Sequence, residues 1–322
     1  MLCSLTLYKA LKKKYPVSRI TLVAAKTNYK IPFFDINPDL DRVLIFDKSS
    51  FKKIFTFIKN LRNRKYQIGI VPSTIVLSRT SHIINFISGA KKRVGVRSID
   101  GIKNKSHKYL NVKSDFVWKL THQTERNLQV VNQVDCGLLP EEINSIKINF
   151  TKEDLNYAKA FYSNNFPIQN KPVIAFHPGA GKEANVWDKK YFVELIKKLY
   201  NAFDNYVLIT SGWTDNKIVE PICKELTSAN INYKVLHNAE VKKLGAVLTL
   251  TNVYITNDTG TMHIAGYSGA SLISLFGPTN PKEWAPRGTK QKYIKAINNN
   301  INSITVNTVF ELAKTFLIEN NK

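Results

Sequence analysis

Three short polar turns, each placed directly after an apolar run, carry the residues of this chain best suited to chemistry. The first is Asp258-Thr259-Gly260-Thr261, which follows Val253-Tyr254-Ile255 and continues through Met262 and His263. An apolar run ending at Asn257-Asp258 and followed by glycine reads as a strand feeding a short helix. Asp258 or Thr259 is placed to cap that helix's first backbone N–H groups. The second turn is His177-Pro178-Gly179-Ala180-Gly181-Lys182, after a strand at 173–176 and ahead of a helix beginning near Asp188. The third, Gly277-Pro278-Thr279-Asn280-Pro281, stops the buried strand that begins after Gly269. A strand–helix–strand of this length is a right-handed parallel crossover. The first and third turns therefore sit at carboxyl ends of parallel strands, where open α/β sheets bind ligands. A helix N-terminus suits a phosphate. Small residues at 179–181 let one approach the backbone, and Lys182 adds charge.

Each turn alone has a plainer reading. Asp258-Thr259-Gly260 could be only a capped helix start, His263 a structural histidine, and the glycines of the second turn ordinary turn chemistry. Their occurrence together in one half of the chain favours a ligand site. The second turn is not a P-loop. That motif needs Gly five residues before Gly181, where Phe176 stands, and Ser or Thr after Lys182, where Glu183 stands. No HExxH, CxxC or GxSxG occurs, and no GxGxxG follows a strand, which removes support for zinc, serine-hydrolase and dinucleotide chemistry. Trp187 and Trp284 lie near the turns and could pack a sugar or base face, or simply anchor loops.

The elements that must hold these turns alternate through the second half: strands at 173–176, 206–210 and 233–236, helices at 190–203, 216–227 and 241–250, and a final amphipathic helix at 308–320. In the first half, strands are expected at 19–25, 42–46, 66–72 and 92–96, and helices at 51–62, 82–89, 123–136 and 151–163. Thr151 and Asp154 form an N-terminal capping pattern there. The polar stretch 164–172 with two prolines is the linker candidate. The expected organisation is α/β with two Rossmann-like domains, 1–165 and 172–305, facing across a cleft, and a C-terminal helix at 306–322 packing back on the first domain. The chain opens on a helix where a doubly wound domain would place its central strand, so the first domain is expected to lack that strand.

The 322 residues include no apolar run long enough to span a bilayer and no signal peptide. Cys3, Cys136 and Cys223 are odd in number and far apart, which fits a reducing cytoplasm. Net charge is +23, of which +17 falls in 1–165, with 29 Lys+Arg against 12 Asp+Glu. A Lys, Asn and Ile-rich composition accounts for the total but not for the asymmetry. A basic N-terminal half could attract nucleic acid, an anionic membrane or an acidic substrate.

The residues His177-Pro178-Gly179-Ala180, Trp187, Asp258-Thr259-Gly260-Thr261-Met262-His263 and Phe276-Gly277-Pro278-Thr279 resemble glycosyltransferase family 9, the ADP-heptose:lipopolysaccharide heptosyltransferases and their relatives. The segments Met1–Pro16, Ile20-Thr21-Leu22-Val23, Arg93-Val94-Gly95 and His122–Arg126 are similar to the family too, so the likeness covers nearly the whole chain. The resemblance implies a GT-B fold and an inverting, metal-independent transfer with no cofactor. A heptose or related sugar would pass from an ADP-heptose-like nucleotide sugar to an acidic lipopolysaccharide core acceptor. It implies a cytoplasmic protein with peripheral contact to the anionic inner membrane and no nucleic-acid partner. Carried over, Thr259, Gly260 and Thr261 would hold the diphosphate, and Asp258 and His263 would contact donor sugar or phosphate. Ala180, Gly181 and Lys182 would face the same phosphates, Ala239 would meet the adenine, and Thr214 or Asp215 would stand near the ribose. Two departures stand out. Asn185 occupies the position of a family lysine, and Lys182, three residues upstream, is the candidate substitute. The family's catalytic Asp would precede Met1, in the same segment as the missing strand. The alternatives are a different nucleotide sugar, or a donor-binding protein that is catalytically silent without that Asp.

Overall fold

The computed structural model of the chain describes residues 2–26, 37–72, 75, 77–168 and 171–319. It divides into two compact units, Met1–Ile146 and Lys147–Lys322.

Unit 1 runs α1 (Leu5–Lys14), β1 (Thr21–Ala25), β2 (Arg42–Phe46), α2 (Phe51–Arg62), β3 (Ile68–Ile70), α3 (Arg79–Ile87), β4 (Lys92–Ile99), β5 (Ile102–Lys103), β6 (Val112–Phe116), α4 (Gln123–Asn132) and α5 (Pro140–Ser145). Among the described residues, β1 bonds in parallel to β2 and to no other strand. A separate sheet joins β3, β4 and β6 in parallel, with β5 folded back on the end of β4. The small core between β2, α2 and α3 is built on Leu44, Phe57 and Leu61, with Phe46, Ile58, Ile84 and Ile87 against them.

Unit 2 runs α6 (Lys152–Asn165), β7 (Val173–His177), α7 (Lys189–Phe203), β8 (Tyr206–Ser211), α8 (Asn216–Ser228), β9 (Tyr233–His237), α9 (Val241–Leu248), β10 (Val253–Asn257), α10 (Gly260–Ser268), β11 (Leu272–Phe276), α11 (Pro281–Trp284), β12 (Gln291–Lys295) and α12 (Val306–Glu319). Its strands form one parallel six-stranded sheet in the order β12-β11-β10-β7-β8-β9. Chain order therefore runs outward in two directions from the β7/β10 pair, the point at which doubly wound sheets bind ligands. The inner strands β7, β8, β10 and β11 are buried from end to end, as parallel strands covered on both faces must be. Alternate residues serve opposite faces. Ile174, Phe176, Val207, Ile209, Ile255 and Leu275 pack with α7, α8 and α12 in one core, while Ala175, Leu208, Tyr254 and Leu272 are equally buried on the other side.

Two expectations are corrected here. The units divide between Ile146 and Lys147, not at the proline-bearing stretch 164–172. The reason is that α6 belongs to unit 2, packed along α9, and Ile148 N–H donates to the Tyr267 carbonyl at 2.8 Å. The Thr151–Asp154 capping box at the start of α6 forms as expected. The C-terminal helix buries Val309, Ala313, Phe316 and Leu317 in the core of unit 2, so the apolar face expected to return to the first domain is taken up there. Gln169, Asn170 and Asn320, which fall in the expected linker and last helix, lie outside the described residues. No helix among the described residues is long and apolar enough to cross a membrane.

Candidate functional site

The three polar turns stand side by side at the carboxyl edge of unit 2, and asparagines lace them together. Asn257, the last residue of β10, is fully buried. Its side-chain amide donates to the Pro178 carbonyl at 2.9 Å and to that of Gly179 at 3.4 Å, and its Oδ1 accepts from the Trp187 N–H at 3.3 Å. Asn185, in a short 3-10 turn after Lys182, donates to Asp258 Oδ2 at 2.9 Å and to its carbonyl at 3.3 Å. The Thr279 hydroxyl bonds the same carboxylate. A Cβ on Gly277 would stand 2.7 Å from the Ala184 carbonyl, so the third turn is pressed against the second, and only glycine permits it.

Burial raises the Asp258 carboxyl above its ordinary value. The Thr279 hydroxyl, the Lys182 charge and the Asn185 amide oppose that rise without cancelling it. Lys182 is thus near enough to Asp258 to act on it. The expected capping bond is not made. Thr259 takes the extended N-cap backbone of α10 but its side chain caps nothing, and the Asp258 carboxylate is turned to Asn185 and Thr279 instead. The first-turn amides of α10, which no helix satisfies internally, therefore receive no side-chain cap from Thr259. A Cβ added at Gly181 or Gly260 would meet nothing within 4 Å, so space lies open over both turns where a ligand's backbone approach would need it.

A buried polar floor supports this edge. His177 ends β7 and its Nδ1 donates to the Thr210 carbonyl at 3.0 Å, while Nε2 faces Asp215 Oδ2 at 3.6 Å. Burial pushes the His177 imidazolium down against the pull of Asp215. Asp215 also accepts from the Gly212 N–H at 2.6 Å, and a Cβ on Gly179 would come within 2.3 Å of its carboxylate. Thr210 Oγ1 pairs with the Tyr254 hydroxyl at 3.0 Å, and burial pushes that phenol up to about 12. The floor thereby links β7, β8 and β10.

Of the residues selected from sequence, Ala180, Gly181, Lys182, Asp258, Thr259, Gly260 and Thr261 are brought to one place by the β7 and β10 turns. Asp215 and Ala239 lie further along the edge, after β8 and β9. Asp215 is buried with its carboxylate beneath the turn, whereas Thr214 is exposed. His263 is half-buried, its ring 6.4 Å from Trp284 in an edge-to-face contact. Trp187 is 0 % exposed, with Nε1 donating to the Ile304 carbonyl at 3.0 Å, so it is a loop anchor and offers no face to a ligand. Sequence reasoning passed over the lacing role of Asn257 and also Trp213. Trp213 is 85 % exposed after β8, with its ring 6.2 Å from that of His237. Ser211 Oγ, at 2.7 Å from Nδ1, and the Asn238 side chain hold His237 in place. A tryptophan in the polar run Gly212-Trp213-Thr214-Asp215 directly after a strand was the available signal.

A parallel sheet whose order reverses between two small-residue turns, with an uncapped helix start and a lysine between them, defines a doubly wound α/β protein suited to a phosphorylated ligand. The sequence profile of glycosyltransferase family 9 (heptosyltransferase) matches residues 54–313, and the chain belongs to that family. It is 26% identical over 144 residues to lipooligosaccharide heptosyltransferase 2 of Campylobacter jejuni subsp. jejuni serotype O:2, across 44% of this chain and 45% of that protein. The matched stretch thus spans less than half of that curated relative's length. The fold resembles the solved E. coli ADP-heptose lps heptosyltransferase II, with a TM-score of 0.78 at 21% identity over 100% of this chain and 96% of that one. It also resembles a glycosyl transferase family 9 protein from Veillonella parvula, at 0.81 and 18% over 99% and 93%. The fold class is the GT-B type of α/β protein that these structures share.

Proposed function

We propose that the chain is an inverting glycosyltransferase that moves a heptose from a nucleotide-activated donor, ADP-heptose in type, to a lipopolysaccharide core acceptor. Unit 2 binds the donor. The observation that carries this reading is the convergence of the turns at 178–182, 258–261 and 277–279 on the β7/β10 reversal, beside the uncapped start of α10. In the transfer, an acceptor hydroxyl attacks the anomeric carbon while the bond to the diphosphate breaks and the hydroxyl proton passes to a carboxylate acting as general base. Charge then grows on the leaving oxygen. The backbone N–H groups of Gly260 and Thr261 and the Lys182 ammonium are fixed where that charge develops, and fixed donors stabilise it without reorganisation. Asp258, held by Asn185 and Thr279, faces the sugar side. The nucleoside extends along the strand ends toward β8 and β9, which at about 4.8 Å per strand matches the reach of a nucleoside diphosphate. There the exposed Trp213 ring offers a base a face.

The basic first unit suits a phosphorylated, carboxylate-bearing acceptor presented at the inner face of the cytoplasmic membrane. The test is incubation of the protein with ADP-heptose and heptose-deficient core oligosaccharide, read by mass spectrometry. A product heavier by one heptose, with release of ADP, supports the reading. Product only with another nucleotide sugar moves the donor assignment within the family, and donor binding without product under any pairing overturns the transfer.

A further inference from the structure

We propose that a hollow between the third turn and the end of β12 is a second ligand site of unit 2, built for a phosphate monoester carried on a sugar. The hollow has a volume of about 400 Å³. Its cations are Lys282 and Lys295, its amides Asn280 and Asn299, and its apolar walls Pro278, Pro281 and Tyr293. The sheet order β12-β11-β10-β7 puts it beyond β11 from the β7/β10 reversal. Lys182 and the start of α10 are not among its walls.

Strand alternation builds one side of it. Ile294 packs against the main core of unit 2, so Tyr293 and Lys295, one residue to either side, face the opposite way. Lys295 is half-buried, and its ammonium donates to the Gly277 carbonyl and, at 2.7 Å, to Asn299 Oδ1. Asn298 and Asn299 both take the left-handed backbone, with φ of 51° and 60°, which asparagine tolerates better than most residues. Two of the three ammonium N–H groups thus go to neutral acceptors that fix the charge in place, and the third remains for a ligand. Among the described residues no carboxylate stands within ion-pair distance of Lys282 or Lys295, and no acid lines the hollow.

A single exposed lysine is ordinary. A half-buried cation pinned by neutral oxygens, beside a second cation and with no acid to balance either, is complementary to an anion. A dianionic phosphate monoester meets both ammonium groups, whereas a carboxylate brings one charge and leaves the other lysine unmatched. Asn280 adds a donor at the rim. Its Oδ1 accepts from the Lys282 N–H at 3.0 Å, which leaves its amide nitrogen to the ligand. The walls choose the carrier. Tyr293 is 45 % exposed, with its ring edge-to-face on Phe276 at 6.1 Å, and with the two prolines it offers flat apolar surface to the C–H faces of a sugar. The site stands on these contacts. Whether its phosphate belongs to the acceptor is the one question that rests on the proposed function.

The test is calorimetric titration of the ADP-saturated full chain with mannosyl phosphate, with mannose as the neutral control. The ester should bind and mannose should not. Lys282→Glu, and Lys295→Gln, which keeps a donor for the Gly277 carbonyl, should each weaken the ester at least about tenfold. Lys314→Glu, the same change of charge on α12, should leave its affinity unchanged. Equal affinity in the parent and Lys282→Glu, an equal loss in Lys314→Glu, or mannose binding as tightly as its phosphate overturns the proposal. Binding that ADP abolishes would place the ester in the diphosphate turns and overturn it as well. Transfer to phosphorylated and to phosphatase-treated core oligosaccharide assigns the source. A KM raised by Lys282→Glu for the phosphorylated acceptor alone puts the phosphate on the acceptor. An unchanged KM for both, alongside the lost ester binding, assigns the site to a free sugar phosphate. Ester binding without transfer under any pairing would leave the site in place and sink the enzymatic reading; transfer without ester binding would do the reverse.

Discussion

Unit 2 gathers its parallel strands into one six-stranded sheet with four strands buried from end to end, whereas unit 1 divides its strands between two sheets and buries them only in part. The charge follows the same division. Residues 1–146 hold 26 Lys+Arg against 10 Asp+Glu, and residues 147–322 hold 21 against 14. The difference shows two ways of making a binding surface. Unit 2 invests in a rigid floor, where Asn257, His177, Asp215 and Tyr254 fix three turns from below, and leaves a small site with few charges. Unit 1 also buries apolar side chains, among them Leu7, Leu11, Val94, Val96, Trp118 and Val130, but turns Phe51, Phe55 and the cations beside them outward. A fixed floor suits a ligand whose charge must be met at one point; a broad basic face suits a large, multiply charged partner.

The sharpest way to break this contrast is to remove a buried anchor from unit 2 and an exposed ring from unit 1. Trp187→Ala empties the largest buried side chain beneath the second turn and strands the Ile304 carbonyl. It should cost about 3–5 kcal/mol of stability, read as a drop in the urea midpoint. Phe51→Ser, on the exposed stripe of unit 1, should stay within about 0.5 kcal/mol of the parent. Comparable losses would show that the two units do not differ in the way argued.

A smaller effect is expected where the floor meets the ligand. Asn185→Ala deletes the donor to Asp258 and leaves a half-buried carboxylate short of a partner, a loss of about 1–3 kcal/mol. Nucleotide-sugar turnover should fall about ten- to hundredfold, with a thermal midpoint lowered by a few degrees. Asn185→Lys, which introduces a charge at the same position, should recover part of that turnover. If the lysine variant is as slow as the alanine variant, Asn185 serves packing and not the orientation of Asp258.

The pH dependence sharpens the same point. Because burial raises the Asp258 carboxyl, the folded state binds a proton more tightly than the unfolded chain. Between the ordinary carboxylate pKa and the raised folded value, stability should fall as pH rises. Asp258→Asn should remove that slope and nothing else from the stability–pH curve. A diphosphate bound nearby raises the carboxyl further, so ADP binding should be tighter on the acid side and should take up protons. Calorimetry in two buffers of different ionisation enthalpy measures that uptake directly. No proton uptake in the parent would place the diphosphate away from Asp258.

Much of this arrangement was legible in the sequence, and the parts that were not share a cause. The boundaries of β2 and α2 coincide with the expected ones because 42–46 is a clean β-branched run and 51–62 a clean helical stripe. The three turns were legible because glycine, proline and capping residues punctuate the strands there. β6 and β12 went unseen: Val-Lys-Ser-Asp-Phe and Gln-Lys-Tyr-Ile-Lys carry too many polar residues, which an edge or half-covered strand tolerates. The unit boundary was misplaced because prolines at 167 and 172 mark a connection inside unit 2, whereas the real division falls at Ile146-Lys147 and bears no proline or glycine. Asn257, Asn185 and the Asp215–His177 pair do their work through contacts between strands distant in sequence. No local pattern announces those contacts.

The smallest effect concerns the far end of the site and decides how the ligand lies on it. If the phosphates occupy the β7/β10 turns, the base must fall near β8 and β9, where Trp213 is exposed against His237. Removing the ring should then cost only a stacking contact, about 0.5–1.5 kcal/mol, or a several-fold weaker affinity for ADP in Trp213→Ala. Affinity for inorganic diphosphate should stay unchanged, since that fragment has no base to stack. Trp213→Phe should restore most of the loss. The comparison of ADP with diphosphate isolates the base from the phosphates, so an equal loss for both ligands would mean that the ring braces the turn. No loss for either would mean that the nucleoside runs the other way along the sheet, toward β11 and β12. Either outcome would leave the phosphate assignment intact while reversing or removing the polarity assigned to unit 2.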